Sequence, residues 1–155
     1  MNVSIIIPLL NESESINELN DWIFKAFTGT DLEFEIIYID DGSNDSSWSI
    51  IEKITKSKIN VKGISFNRNY GKSQALRVGF SQAKGEYVAT LDADLQDSPE
   101  EIPIMINKLI ESNLDMISGW KKKRYDSFFL KKLPSSLFNF VARLFSGIRL
   151  NDFNC

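Results

Sequence analysis

Histidine is absent from the 155 residues, which removes imidazole general bases, His-based triads and His-ligated zinc in one step. The single cysteine, Cys155, stands at the last position and has no partner for an internal disulfide. Polar chemistry therefore falls to carboxylates. No apolar run reaches the length of a membrane span, and no basic amino-terminal region precedes an apolar one, so the expected location is cytoplasmic or at the cytoplasmic face of a membrane. The phosphate loop Gly-x-x-x-x-Gly-Lys-Ser/Thr is missing, as are internal repeats and low-complexity segments. Positive charge is scarce over most of the length. The net charge of −3 gives no basic field for nucleic acid, yet residues 116 to 155 carry 8 Lys+Arg against 2 Asp+Glu. That basic end either balances an acidic body as a solvated surface or meets phosphate or an anionic membrane face.

What is present is an ordinary globular composition, 43% hydrophobic and 25% charged, enough for one domain over residues 1 to 155. Val3 to Ile7 is a β-branched run that Pro8 should stop. Asn11 is placed to cap a helix carrying Ile16, Leu19, Ile23 and Phe27 at helical spacing, with Glu12 and Glu14 in its first turn. Phe34 to Ile39 reads as a second strand. Asp40-Asp41-Gly42-Ser43-Asn44-Asp45 then turns into a helix with Trp48, Ile51 and Ile54, and Asp45 is its expected cap. Val61 to Phe66 is a third strand. The loop after it, Asn67 to Lys72, puts Gly71 at a helix start, where backbone N–H groups can approach an anion beside Arg68 and Lys72; an ordinary basic loop is the alternative. Glu86 to Leu91 is a fourth strand, Ser98-Pro99-Glu100-Glu101 opens a further helix, and Leu114 to Ser118 reads as a fifth strand. Beyond lie a basic and amphipathic segment, 121 to 150, and a helix over Pro134 to Gly147. Its apolar face packs either on the core or, with Phe128, Phe129, Lys131 and Lys132, on a bilayer surface.

Alternating strands and helices predict an α/β fold with a mostly parallel sheet and helices on both faces. The loops after the first four strands then share the carboxyl edge, where open α/β sheets bind ligands. On that edge Asp40 and Asp41 lack an evident capping task and suit ligand contact. Asp92, Asp94 and Gln96 fall on alternate positions of a strand end, so their oxygens should converge as a hard-donor set for Mg²⁺ or Mn²⁺. Asp97 belongs with the following helix cap.

In this order, Val3-Ser-Ile-Ile-Ile-Pro-Leu-Leu-Asn-Glu12, Ile39-Asp-Asp-Gly-Ser-Asn-Asp45, Asn69-Tyr-Gly-Lys72, Ala83-Lys-Gly-Glu86 and Leu91-Asp-Ala-Asp-Leu-Gln-Asp-Ser-Pro-Glu100 resemble the family 2 glycosyltransferases of GT-A fold, a Rossmann-like architecture. The likeness is greatest to the branch of dolichol-phosphate mannose synthase and the bacterial polyprenyl-phosphate glycosyltransferases. It implies that Pro8, Leu10, Asn11, Glu12, Asp40 and Asp41 line the base and ribose pocket of a UDP- or GDP-sugar, with Leu10 standing where an aromatic residue is frequent. It implies that Lys72, Asp92 and Ala93 lie at the ribose and diphosphate, and that Asp94 and Gln96, with Asp92, hold the metal. Asn151-Asp152-Phe153-Asn154-Cys155 resembles the start of an Asp-x-x-x-Gly-Phe segment near the acceptor and stops mid-motif, as an amino-terminal part of a longer domain would. Asp94 and Asp152 are the catalytic candidates. A polyprenyl phosphate acceptor is already anionic and needs little proton abstraction, whereas a saccharide hydroxyl would need a base, for which Asp152 is the candidate. Self-association as a homo-oligomer is left open. Two rivals fit less well. A nucleotidyltransferase would carry a Gly-, Arg- and Lys-containing loop after strand one, where Pro8-Leu9-Leu10-Asn11 stands. A phospho-receiver would put its paired acids there too. A catalytically inactive binding module remains a third reading.

Overall fold

Val3-Ser-Ile-Ile-Ile-Pro-Leu is buried at every position, the mark of a strand with neighbours on both edges and layers on both faces. In the computed structural model, which describes residues 2–119, this segment is β1 (Val3–Leu9), the second strand from one edge of a four-stranded parallel sheet. The order of elements is β1, α1 (Ile16–Phe27), β2 (Phe34–Asp40), α2 (Ser47–Ser57), β3 (Val61–Ser65), α3 (Lys72–Gln82), β4 (Tyr87–Thr90) and α4 (Glu101–Glu111). Across the sheet the strands run β3-β2-β1-β4, every neighbouring pair parallel. Two strands are added on one side of β1 before the chain crosses to the other side. The order thus reverses beside β1, which makes its carboxyl end the switch point where α/β sheets open a crevice.

Alternation along β1 divides the core. Ile5 and Ile7 join Leu19, Ile23, Tyr38, Ile51 and Ile106 on the face covered by α1, α2 and α4. Ile6 joins Ile37, Ile39 and Ala75 on the face covered by α3. Helix α3 lies close on β1 because Gly79 has no side chain; a Cβ there would come within 2.3 Å of Ile6 Cγ2.

Pro8 does not end β1. The Val3 N–H donates to Glu33 O on the β2 side, so alternation turns the Pro8 nitrogen toward β4, where the ladder has already closed at Ile6 and Thr90. Its missing N–H costs no bond there. The fifth strand is also corrected: residues 114 to 119 join no ladder among the described residues, and Leu114 and Met116 are exposed. Apolar spacing alone cannot make a strand where no partner supplies the hydrogen bonds. By compactness the chain divides into residues 1–111, the sheet and its helices, and residues 112–155. The segment 121 to 150 and Asp152 lie outside the described residues.

At the amino edge of the sheet, Glu35 is 1% exposed and gathers three strands. Its Oε1 accepts from Ser4 Oγ on β1 at 2.7 Å and from the Lys84 N–H ahead of β4 at 2.8 Å. Its Oε2 accepts from Lys62 Nζ on β3 at 2.5 Å. Burial pushes the Glu35 carboxyl upward, but hydrogen bonds from Lys62, Ser4 and the Lys84 amide, with the Lys62 charge, together hold it below the usual range.

Candidate active site

Four loops leave the carboxyl edge of the sheet. The first follows β1. Asn11 was expected to cap α1, but the helix starts at Ile16 after Ser15, and Asn11 takes φ +58°. Its Oδ1 accepts the Asn44 N–H at 2.8 Å and its own N–H donates to Ser43 Oγ at 2.8 Å, so the residue faces the second loop instead of a helix. Glu12, also ahead of the helix, accepts from Ser15 Oγ at 3.0 Å through Oε2. Pro8 is buried and Leu10 is exposed, 38%.

The second loop carries Asp40 and Asp41, both buried. Each has a local task that spacing did not reveal. Asp40 Oδ1 accepts the Ser43 N–H at 3.0 Å, which closes the turn, and Oδ2 accepts from Ser65 Oγ at 3.2 Å. Asp41 reaches across to the third loop, where it accepts the Tyr70 N–H at 2.7 Å and the Gly71 N–H at 2.9 Å. These bonds are charge-assisted and share one carboxylate, a strong way to hold an irregular loop. Gly42 makes that approach possible: at φ +77°, a Cβ there would sit 2.4 Å from the Arg68 carbonyl carbon. Asp45 serves the start of α2 one residue ahead of the cap position, accepting the Ser47 N–H at 2.9 Å and the Ser13 N–H of the first loop at 3.1 Å. Burial works against its ionised form, but bonds from Ser47 and Ser13 outweigh it and hold the carboxyl down at about 2.

For the third loop the sequence leaves two readings, an anion approach on backbone N–H groups at a helix start or an ordinary basic loop, and one of those groups is the Gly71 N–H. That donor is already taken, by Asp41 and by Asn69 Oδ1 at 2.9 Å. The loop also carries side-chain charge. The Arg68 guanidinium lies over the Tyr70 ring, 4.8 Å from its centre, and Lys72 is 57% exposed at the start of α3.

The fourth loop differs from the converging strand end that alternation predicts. The strand closes at Thr90, Leu95 takes φ +61°, and the Gln96 N–H folds back onto Asp94 Oδ1 at 3.1 Å. Asp92, Asp94 and Gln96 therefore sit on a bend, where the period of two does not decide their directions. Ala93 is buried, while Asp94 and Gln96 are exposed. Asp92 Oδ1 pairs with Lys72 Nζ at 2.5 Å, which joins the third and fourth loops. The expected cap of α4 also shifts: Ser98 and Pro99 form a turn, with the Glu101 N–H donating to Ser98 O at 3.2 Å, and the helix begins at Glu101. Asp97 lies in the bend ahead of that turn.

The structure thus brings Asn11, Asp40, Asp41, Lys72 and Asp92 onto one edge, loop joined to loop. Sequence reasoning missed Ser13, Ser43, Asn44 and Ser47, the residues that fasten the first loop to the second. Their signal was the run Ser43 to Ser47, dense in short polar side chains that bond backbone N–H groups. Residues 4–154 match the model of glycosyl transferase family 2. The chain belongs to that family. Its fold is the GT-A type, and it is 32% identical over 156 residues to a dodecaprenyl-phosphate galacturonate synthase of Rhizobium johnstonii, covering 100% of this chain and 46% of the relative. It is 40% identical over 154 residues to an undecaprenyl-phosphate 4-deoxy-4-formamido-L-arabinose transferase of Shewanella sediminis, covering 99% and 46%. The chain thus spans less than half the length of these curated relatives. Among solved structures, Staphylococcus aureus TarS 1-349 in complex with UDP superposes with a TM-score of 0.63 at 26% identity, over 85% of this chain and 40% of that one. The mannosyltransferase PcManGT from Pyrobaculum calidifontis, in complex with GDP-Man and Mn²⁺, gives a TM-score of 0.53 at 26% identity, over 60% of this chain and 27% of that one. Among the described residues, no helix is long and apolar enough to cross a membrane.

Proposed function

We propose that this chain forms the donor-binding part of an inverting, metal-dependent glycosyltransferase that moves a sugar from UDP or GDP to a polyprenyl phosphate at the cytoplasmic face of a membrane. The observation that carries the reading is the row of four linked polar loops on one sheet edge, in a chain whose relatives are named as polyprenyl-phosphate sugar transferases. In this reading the first two loops, with Pro8, Leu10, Glu12, Asp40 and Asp41, receive the base and ribose. At the seam of the third and fourth loops, Lys72 receives the diphosphate and Asp92, with Ala93, the ribose and the metal-bound diphosphate.

The fourth loop fits a hard divalent cation by the chemistry of its donors, two carboxylates and an amide oxygen. No three acidic, thiol or imidazole groups gather among the described residues, so Asp92, Asp94 and Gln96 would hold Mg²⁺ or Mn²⁺ together with the nucleotide's own phosphates. When bound, the metal would neutralise charge developing on the departing nucleoside diphosphate. Lys72 supplies further positive charge at that point. A phosphate acceptor is anionic near neutral pH, so no strong base is required of this chain. Because the chain spans less than half of its curated relatives, a nucleotide-sugar-binding part without full activity is the second reading.

A thermal-shift panel of nucleoside diphosphates with Mn²⁺ tests the donor reading, since a ligand that binds only the folded state raises its stability by mass action. UDP or GDP should raise the midpoint, whereas ADP and CDP should leave it unchanged. No shift with either UDP or GDP at millimolar concentration would refute the donor reading.

A further inference from the structure

The loops after β1 and β2 run side by side without a strand ladder, yet four bonds between a backbone N–H and a side-chain oxygen fasten them. The Asn11 N–H donates to Ser43 Oγ at 2.8 Å, and the Asn44 N–H donates to Asn11 Oδ1 at 2.8 Å. The Glu12 N–H donates to Ser47 Oγ at 2.9 Å and the Ser13 N–H to Asp45 Oδ2 at 3.1 Å. Asn11 alone takes part through both its backbone and its side chain. It does so at φ +58°, a conformation that Asn tolerates better than most residues because its short side chain can bond locally.

We propose that Asn11 is a positioning residue of the donor site. It acts through Oδ1, as the clasp that holds the loop of Leu10 and Glu12, which follows β1, at a fixed spacing from the loop of Asp41, which follows β2, and it does not itself touch the nucleotide. The inference rests on the donor reading above. A pocket between two irregular loops must have its walls ordered at some point, and walls ordered before the ligand arrives spare the binding step that cost. The side-chain half of the clasp is also separable from the backbone half. Glycine at position 11 keeps the positive φ and the N–H to Ser43, and loses only the acceptor for the Asn44 N–H. Aspartate keeps that acceptor and loses the amide donor.

The full chain and its Asn11→Gly and Asn11→Asp variants would be titrated with UDP and with GDP by calorimetry in Mn²⁺, and amide exchange at Asn44 followed by NMR without nucleotide. Asn11→Gly should bind the preferred nucleotide about tenfold more weakly and expose the Asn44 amide to faster exchange. Asn11→Asp should restore both. If Asn11→Gly does not fold, Ser43→Ala removes the other half of the clasp and should show the same weakening. Asn11→Gly binding as tightly as the parent overturns this inference while the donor reading stands. So does Asn11→Asp binding as weakly as Asn11→Gly with its Asn44 amide still protected, because the amide group would then contact the nucleotide. Failure of the parent chain to bind either nucleotide overturns the donor reading and this inference with it.

Discussion

Replacing Glu35 separates what this carboxylate contributes to the fold from anything it could do for ligands, because it lies at the amino edge of the sheet, away from the loops of the site. At 1% exposure it holds Ser4 Oγ, the Lys84 N–H and Lys62 Nζ. Breaking a fully buried ion pair costs about 3–5 kcal/mol. Lys62 is 38% exposed and returns to water readily, so its share is small. The Ser4 hydroxyl would lose its acceptor, while the Lys84 N–H keeps a longer bond to Ser4 Oγ at 3.1 Å. One orphaned donor and one weakened bond, at about 1–3 kcal/mol for a buried unsatisfied group, put Glu35→Ala at about 2–3 kcal/mol. Urea unfolding at pH 7 measures it. The pH dependence has a definite sign. The folded carboxyl titrates below its ordinary value of 4.5, so its contribution is complete above about pH 4.5 and is lost as pH falls through the lowered value. The gap between the parent chain and Glu35→Gln should therefore close in acid and stay constant from pH 5 to 7. A Glu35→Ala variant within about 0.5 kcal/mol of the parent at pH 7 would show that this network contributes no net stability, and a Glu35→Gln variant with the parent's acid slope would show that the carboxyl is not held low.

Three further outcomes follow from the site and its support. Asp41→Ala should cost about 2 kcal/mol, since it removes two charge-assisted bonds to a loop that water can partly re-solvate, and it should speed amide exchange at Tyr70 and Gly71 specifically. Lys72→Met should change stability by less than about 1 kcal/mol, because its ion pair with Asp92 is 57% and 45% exposed, yet weaken UDP or GDP binding about tenfold or more by calorimetry. Gly79→Val should lower the thermal midpoint by several degrees, with overpacking against Ile6 costing about 1–3 kcal/mol before the backbone shifts. A midpoint equal to the parent's would mean that α3 can move off β1 at no cost.

The strands, the helices and the polar edge were legible because burial leaves a periodic trace: unbroken β-branched runs in Val3 to Ile7 and Phe34 to Ile39, helical spacing in Ile16, Leu19 and Ile23. What escaped was decided by partners distant in sequence. Pro8 stays in its strand because the neighbouring ladder has ended, a fact set by β4, some eighty residues later. Asn11 has the chemistry of a helix cap, but Asn44 and Ser43 claim it from another loop. The Gly71 N–H stands at a helix start, but Asp41 claims it from another loop. Leu114 to Ser118 carries a strand pattern and no strand to pair with among the described residues. The bend at Leu95 is a left-handed turn by a residue type that seldom adopts one, and nothing in its side chain announced it.

In the proposed reaction the bend of Asp92, Asp94 and Gln96 would join a divalent cation to the diphosphate of a nucleotide held by the other three loops. Calorimetry of UDP and GDP binding to the full chain and to Asp94→Ala, each with Mn²⁺ and with chelator, tests it most directly. The parent chain should bind one of the two nucleotides at least tenfold more tightly with Mn²⁺ than without, and Asp94→Ala should retain the metal-free affinity and lose the gain. Equal affinity with and without Mn²⁺ in the parent chain would rule out a metal role for this bend.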